Sequence, residues 1–241
     1  MSRAPVSRMV EDYVTLIWKA REWPGGEPTT TDLATQLGVT PSTVSANLKR
    51  LARDGLISYE PYGSIELTED GRAIAVDIVR RHRILETYLV QHLGLTWDQV
   101  HDEANKLEHA VSDLVLDRMD AVLGHPTHDP HGDPIPDTDG RIPPDHSWAL
   151  VDTTPETQVD VLRVSDRSPD ILRYLTGHGI TVGTRLTVTE ISPAAAVVRL
   201  SLDGGPVELS LHAAAAVRVS PAAQERPSAP LPALSPPDTP L

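Results

Sequence analysis

The chain has 241 residues, enough for two domains or one large one, with 39% hydrophobic residues but only 4% aromatics and no Phe. Any core is therefore built from Leu, Val, Ile and Ala, and the absence of Cys excludes disulfides, thiolate metal sites and thiol nucleophiles. The formal net charge of -13 argues against nucleic acid at first sight, but acidic and basic residues balance up to Arg83 and the acidic excess lies beyond it.

Helical spacing of Met9, Tyr13, Leu16 and Ile17 predicts a first helix over about 7–19, ended by Pro24-Gly25-Gly26. Thr29 to Asp32 offer N-caps for a short helix closed by Gly38. Thr40 caps a third helix, with Pro41 at its first position and Gly55 just past its end. That helix has a narrow apolar stripe of Val44, Leu48 and Leu51, and an opposite face of Ser42, Thr43, Ser45, Ala46, Lys49 and Arg50. The runs LISYE and SIELT, divided by Pro61-Tyr62-Gly63, read as a hairpin. Helix, helix–turn–helix and hairpin in this order spell a winged helix–turn–helix. A plain helical corner is the alternative, but short polar and basic residues on the exposed face of the third helix favour DNA.

A long helix follows from Thr68 to about Gln91, then a second helical region from Thr96 to Leu123. The Pro- and Gly-rich stretch GHPTHDPHGDPIPDTDGRIPPD reads as loop and linker. From Thr157 to Val219 short β-prone runs, interrupted by one helix at PDILRYLTGHG, predict a separate small β-barrel. The tail from Pro221 is Pro-rich and is expected to be disordered. The fold class expected is mainly α with a β-rich C-terminal domain. Its units are a DNA-binding winged helix–turn–helix (1–72), a helical unit (73–140), a linker (141–156), the barrel (157–220) and the tail (221–241).

The chemistry concentrates on the middle helices. His82 and Glu86 stand four residues apart on one helical face. In VHDEANKLEH, His101, Asn105 and Glu108 share a face, and His109 stacks over Asn105. Imidazole nitrogen and carboxylate oxygen suit first-row divalent metals. One helix supplies too few ligands, so Asp12 on the first helix is a candidate partner. Each of these residues taken singly could equally be a solvated or salt-bridged side chain. His128 and His131, in the Pro/Gly loop, are expected to be structural or on the surface.

The motifs EDY (11–13), PSTVSANLKRLARDGLI (41–57), LTEDGR (67–72), RRHRILE (80–86), VHDEANKLEH (100–109) and HGDPIP (131–136) together resemble those of the diphtheria-toxin-repressor family of iron- and manganese-dependent regulators. The resemblance covers about residues 7–136 and extends more weakly through the C-terminal unit. It implies a primary metal site of Asp12, Asn105, Glu108 and His109, and an ancillary site of His82, Glu86 and His101. It also implies an SH3-like C-terminal barrel related to the ferrous-transport accessory (FeoA-type) domain, with Asp166 the nearest acidic donor to the ancillary site. Iron-type members carry Met and Cys where Asp12 and Asn105 stand, so both sulfur donors are replaced by oxygen donors. Mn(II), the harder ion, gains most from that exchange. The implied protein is a cytoplasmic homodimeric repressor, not an enzyme and not membrane-bound. It takes Mn(II) as co-repressor, with Fe(II) the alternative and Co(II) or Zn(II) able to substitute in vitro. On palindromic operator DNA it would place Thr40, Ser42, Thr43, Ser45 and Lys49 against the duplex. Two rival readings use the same residues: a metalloenzyme, for which no nucleophile is evident, and a metal-independent winged-helix regulator.

Overall fold

The structure is a computed structural model, and it describes residues 6–23, 26–60 and 63–222. The expected tail therefore lies outside the described residues from 223 onward. Helix α1 spans Arg8–Arg21, α2 Thr30–Leu37 and α3 Pro41–Arg53, followed by strands β1 Ile57–Tyr59 and β2 Ile65–Leu67. Thr29 and Thr40 cap α2 and α3 by accepting from the Asp32 and Thr43 amides. Each such cap contributes about 1 kcal/mol. Gly38 and Gly55 sit at φ 64° and 75°, the left-handed conformation that stops a helix without a side-chain penalty. The strands pair antiparallel, Ser58 opposite Glu66. One core joins these elements: Tyr13, Val14 and Ile17 of α1 meet Leu33, the Val44, Leu48 and Leu51 stripe, and Ile57 and Ile65 of the hairpin. Fully burying a side chain such as Leu48 stabilises the fold by about 1.5–3 kcal/mol.

Helix α4 (Glu69–Leu93) starts within this unit and leaves it. Its first turn touches the hairpin at Gly71, where an added Cβ would lie 2.0 Å from the Leu56 carbonyl oxygen. The second helical region divides into α5 (Val100–Leu107) and α6 (Asp113–Val122), broken at 108–112. A small core of Ile84, Leu116 and Ile135 lies beneath them. Leu93, Leu114 and Val122 remain 61%, 66% and 62% exposed in the single chain.

The C-terminal unit holds strands β3 (Trp148–Ala149), β4 (Thr157–Val164), β5 (Arg185–Ser192), β6 (Val197–Leu202), β7 (Gly205–Ser210) and β8 (Val217–Pro221). They form an antiparallel sheet in the order β3-β8-β4-β5-β6-β7, with helices α7 (Pro169–Gly177) and α8 (Leu211–Ala215). Alternate residues of β4, Val159 and Val161, enter its core with Leu172 and Leu175 of α7. Residues 148–152, within the stretch expected to be linker, instead form β3 and a short 3-10 turn, and Leu150 is fully buried in this core.

Buried ion pairs join the units. Arg83 of α4 is 1% exposed; its Nη2 donates to both carboxylate oxygens of Glu22 at 2.8 Å, and its Nη1 to the Pro134 carbonyl at 2.7 Å. Arg163 of β4 pairs with Asp133 and Asp145, and the Trp23 ring covers its guanidinium at 5.1 Å. The loop at 129–133 also lies directly on β4. The Val164 amide donates to the His131 carbonyl, and a Cβ on Gly132 would fall 1.8 Å from the Leu162 carbonyl oxygen.

Candidate metal centre

Among the described residues, three clusters bring carboxylates and imidazoles together, two of them sharing Glu86 of α4. In the first, α1 supplies Asp12, and the chain leaving α5 supplies Glu108 and His109. His109 Nε2 is 3.0 Å from Asp12 Oδ1 and 3.3 Å from Glu108 Oε1. The hydrogen bond to Asp12 raises the His109 pKa above the usual imidazole value, against its burial. Asn105 lines the same cavity of about 940 Å³, between α1 and the C-terminal unit. Asp12, Glu108 and His109 thus converge from two elements, with Asn105 lining the cavity beside them.

The second cluster contains His82, Glu86 and His101, the set that the resemblance implies, together with Asp166 from the loop between β4 and α7. His82 Nε2 is 2.9 Å from Glu86 Oε1, and His101 Nδ1 is 2.8 Å from Asp166 Oδ2 and 3.3 Å from Glu86 Oε1. Burial opposes the His101 charge, but the contacts to Asp166 and Glu86 outweigh it and raise its pKa to about 9. Glu86, buried yet beside His82, His101 and His131, is held well below the usual carboxylate range.

The third cluster shares Glu86 and adds Asp129 and His131, all buried. His131 is fully buried with Nδ1 3.6 Å from Glu86 Oε2, and this replaces the surface position considered for it; His128, by contrast, is exposed. His131 Nε2 donates to the Trp97 carbonyl at 2.7 Å, which leaves Nδ1 toward Glu86. Burial pushes the Asp129 carboxyl up. Neither spacing nor periodicity marks Asp129 and His131, because they reach the site only through the close packing of Gly132 on β4.

The donor set fits a divalent cation on a separate ground. Both carboxylate oxygens of Glu86 and Nδ1 of His131 are buried, and Glu86 faces the imidazole nitrogens of His82, His101 and His131, at 2.9, 3.3 and 3.6 Å. A carboxylate buried this deeply is costly unless positive charge, carried by protonated imidazoles or by a bound cation, satisfies it. Oxygen and imidazole donors without sulfur match the harder first-row ions.

At and along α3, Thr40, Ser42, Thr43 and Lys49 are exposed to solvent, while Ser45 is half-buried. The Thr40 hydroxyl is engaged with Ser42 Oγ at 2.8 Å and Thr43 Oγ1 at 2.9 Å.

A two-part regulator is the class that this fold and these clusters define, with a winged helix for DNA and a metal-binding helical unit. Residues 6–65 match the family described as "Iron dependent repressor, N-terminal DNA binding domain". Residues 68–137 match "Iron dependent repressor, metal binding and dimerisation domain", and 149–221 match the FeoA domain. The chain is 34% identical over 203 residues to the iron-dependent repressor IdeR of Mycobacterium tuberculosis, covering 83% of this chain and 86% of that one. It is 33% identical over 222 residues to the diphtheria toxin repressor of Corynebacterium efficiens, covering 87% and 94%. Among solved structures, a "Manganese-dependent transcriptional repressor complex with manganese" aligns with a TM-score of 0.82 and 42% identity, covering 88% of this chain and 99% of that one. ScaR with bound Cd2+ aligns with a TM-score of 0.76 and 29% identity, covering 88% and 99%.

The chain belongs to the family of iron-dependent repressors that includes the diphtheria toxin repressor. It is accordingly a metal-dependent transcriptional repressor, a DNA-binding regulator rather than an enzyme, and its family domain is one that dimerises. No helix among the described residues is long and apolar enough to cross a membrane.

Proposed function

We propose that this protein represses transcription by binding palindromic operators as a homodimer with Mn(II) as its co-repressor. The observation that carries the reading is the placement of Asp12 on α1 against Glu108 and His109 beyond α5, with oxygen and nitrogen donors only. Asp12, Asn105, Glu108 and His109 would hold one ion, and His82, Glu86, His101 and Asp166 a second. Asp129 and His131 offer Glu86 an alternative set of partners. When bound, the metal supplies the positive charge that lets these carboxylates approach one another.

The chain's own residues convert that approach into DNA affinity. Asp12 stands on a helix whose other face, Val10, Val14 and Ile17, packs into the core of the winged helix–turn–helix. Glu108 and His109 belong to the helical unit. Drawing Asp12 onto them fixes the DNA-binding unit against the helical unit. Leu93, Leu114 and Val122 give that unit an apolar face for a second copy. Two α3 helices in a fixed dimer could then enter successive major grooves about 34–36 Å apart. Thr40, Ser42, Thr43, Ser45 and Lys49 would meet the duplex, mostly at phosphates. Without the bridge that arrangement is one of several, and apparent operator affinity falls with its population. Such a protein works in the cytoplasm, where the operator is.

Relatives named as iron-dependent repressors support Fe(II) as the second reading. Operator binding titrated with Mn(II), Fe(II), Co(II) and Zn(II) decides between them. Activation at lower free Mn(II) than free Fe(II) supports manganese, the reverse order supports iron, and full binding in excess chelator overturns metal dependence.

A further inference from the structure

His109 is gripped by α1 at both ring nitrogens. Nε2 faces Asp12 Oδ1 at 3.0 Å, and Nδ1 lies 2.7 Å from Glu11 Oε2. Glu11 and Asp12 are adjacent in sequence and 98 and 97 residues from His109, so one short stretch of α1 closes on the ring from two sides. The Glu11 side chain is 18% exposed and that of His109 9% exposed, so water competes little for this contact.

An imidazole nitrogen that carries a proton has no lone pair to give a metal. The tautomer is therefore decided by the partner of the other nitrogen. An ionised carboxylate only accepts, so the partner of Glu11 Oε2 must be an Nδ1–H. That leaves Nε2 of a neutral ring as the donor, and Nε2 is the atom beside Asp12 and Glu108. We propose that Glu11 is the positioning residue of the primary metal site: it holds His109 in the Nδ1–H form and fixes the ring plane, without itself ligating the ion. This rests on the reading of Asp12, Glu108 and His109 as metal ligands. It adds that α1 contributes two carboxylates with separate tasks, Asp12 for the ion and Glu11 for the imidazole.

A purely electrostatic role would be different. Glu11 also adds negative charge near a cation site, and that alone would raise affinity. The glutamine variant separates the two, because its amide oxygen accepts from Nδ1–H but carries no charge. The test compares wild type, Glu11→Gln and Glu11→Ala in two measurements. Free Mn(II) is followed by electron paramagnetic resonance during titration of the full-length protein. The His109 tautomer is read in metal-free, 15N-histidine-labelled protein by long-range 1H–15N correlation, above the pH at which the ring loses its second proton.

Expected results are unchanged Mn(II) stoichiometry in all three proteins, and an affinity loss of about 10–100-fold for Glu11→Ala. Glu11→Gln should stay within a few-fold of wild type. The Nδ1–H signal should persist in wild type and Glu11→Gln and give way to a tautomer mixture in Glu11→Ala. One ion fewer in Glu11→Ala would make Glu11 a ligand and overturn the proposal. Equal loss in Gln and Ala variants would reduce it to a charge effect, and an unchanged tautomer in Glu11→Ala would remove it. If wild type binds no Mn(II), the metal reading fails, and the tautomer measurement still decides what Glu11 does to His109.

Discussion

Nδ1 of His82 lies 2.6 Å from Glu108 Oε2, while Nε2 of the same ring lies 2.9 Å from Glu86 Oε1. One imidazole thus stands between two clusters that the sequence treats as separate. Glu108 turns its other oxygen toward His109, so the orientation of a primary-site carboxylate depends on His82. Coupling of this kind is reciprocal in binding free energy. We expect His82→Ala to weaken Mn(II) binding at both sites, each by about ten-fold or more, whereas His101→Ala weakens only the site containing Asp166. Electron paramagnetic resonance titration resolves the two classes of Mn(II). An unaltered primary site in His82→Ala would show that the 2.6 Å contact carries no coupling.

Among the described residues, Asp12 is the one that the first helix contributes to the three clusters. Replacing its oxygen by the thioether of Asp12→Met should move activation toward Fe(II) and away from Mn(II), because the softer donor disfavours the harder ion. Operator binding by anisotropy across both metal series measures the shift. An unchanged order of metals would mean that Asp12 does not ligate.

His101 and His131 have pKa values raised to about 9 and about 10. For both, burial opposes the charge and is overcome, by Asp166 and Glu86 for His101 and by Glu86 for His131. Both lie above the free imidazole value of about 6.5, so at neutral pH the metal-free protein holds these protons. A metal-ligating imidazole must be neutral, so binding releases them. Mn(II) affinity should therefore rise as pH climbs from 7 toward about 9 to 10. The stability that the two protonated rings give the metal-free fold is complete below about 6.5 and is lost over the same climb. Calorimetry in buffers of different ionisation enthalpy counts the released protons, and no release at neutral pH would contradict the expectation.

Gly132 has φ 83° and no room for a Cβ against the Leu162 carbonyl. Gly132→Ala should cost roughly 2–4 kcal/mol, combining the left-handed backbone penalty with overpacking. It should also lower Mn(II) affinity, because it separates His131 from β4 and from Asp166. Denaturant unfolding and metal titration measure the two effects. A fully stable variant would show that the loop relaxes without loss.

Leu114 and Val122 are exposed on α6, on the unit assigned to dimerisation. Leu114→Glu with Val122→Glu should convert a dimer to a monomer in light scattering, with little change in monomer stability. A persistent dimer would place the interface elsewhere.

Local signals made the fold legible. Thr40, Gly38 and Gly55 stop and start helices through their own backbone chemistry, and these were readable one residue at a time. His82 and Glu86 were readable because four residues on a helix make one face. Strand β3 and helix α8 escaped because two and five residues carry no period. Glu11, Asp129 and His131 escaped for another reason. Their partners are distant in sequence, and only the packing of α1 beside α5 and of Gly132 on β4 brings them in. Asp166 lay between these cases, an acidic residue in the expected stretch with no spacing to single it out.

Helix α1 touches every unit. Its apolar face anchors the winged helix–turn–helix, Glu11 and Asp12 meet His109, the Lys19 carbonyl accepts from Arg167, and Glu22 just beyond its end holds Arg83. Mechanically it is an axle mounted at both ends. Its 14 residues make a rod about 21 Å long at the usual rise per residue. Pivoting about the Glu22–Arg83 mount by about 5° would sweep Asp12, ten residues and about 15 Å away, through roughly 1.3 Å, on the geometry of such a rod. That is enough to make or break the contact between Asp12 and His109. Small slack at the buried end therefore becomes a large change at the metal end, and stiffening either mount should alter how sharply repression switches with metal concentration.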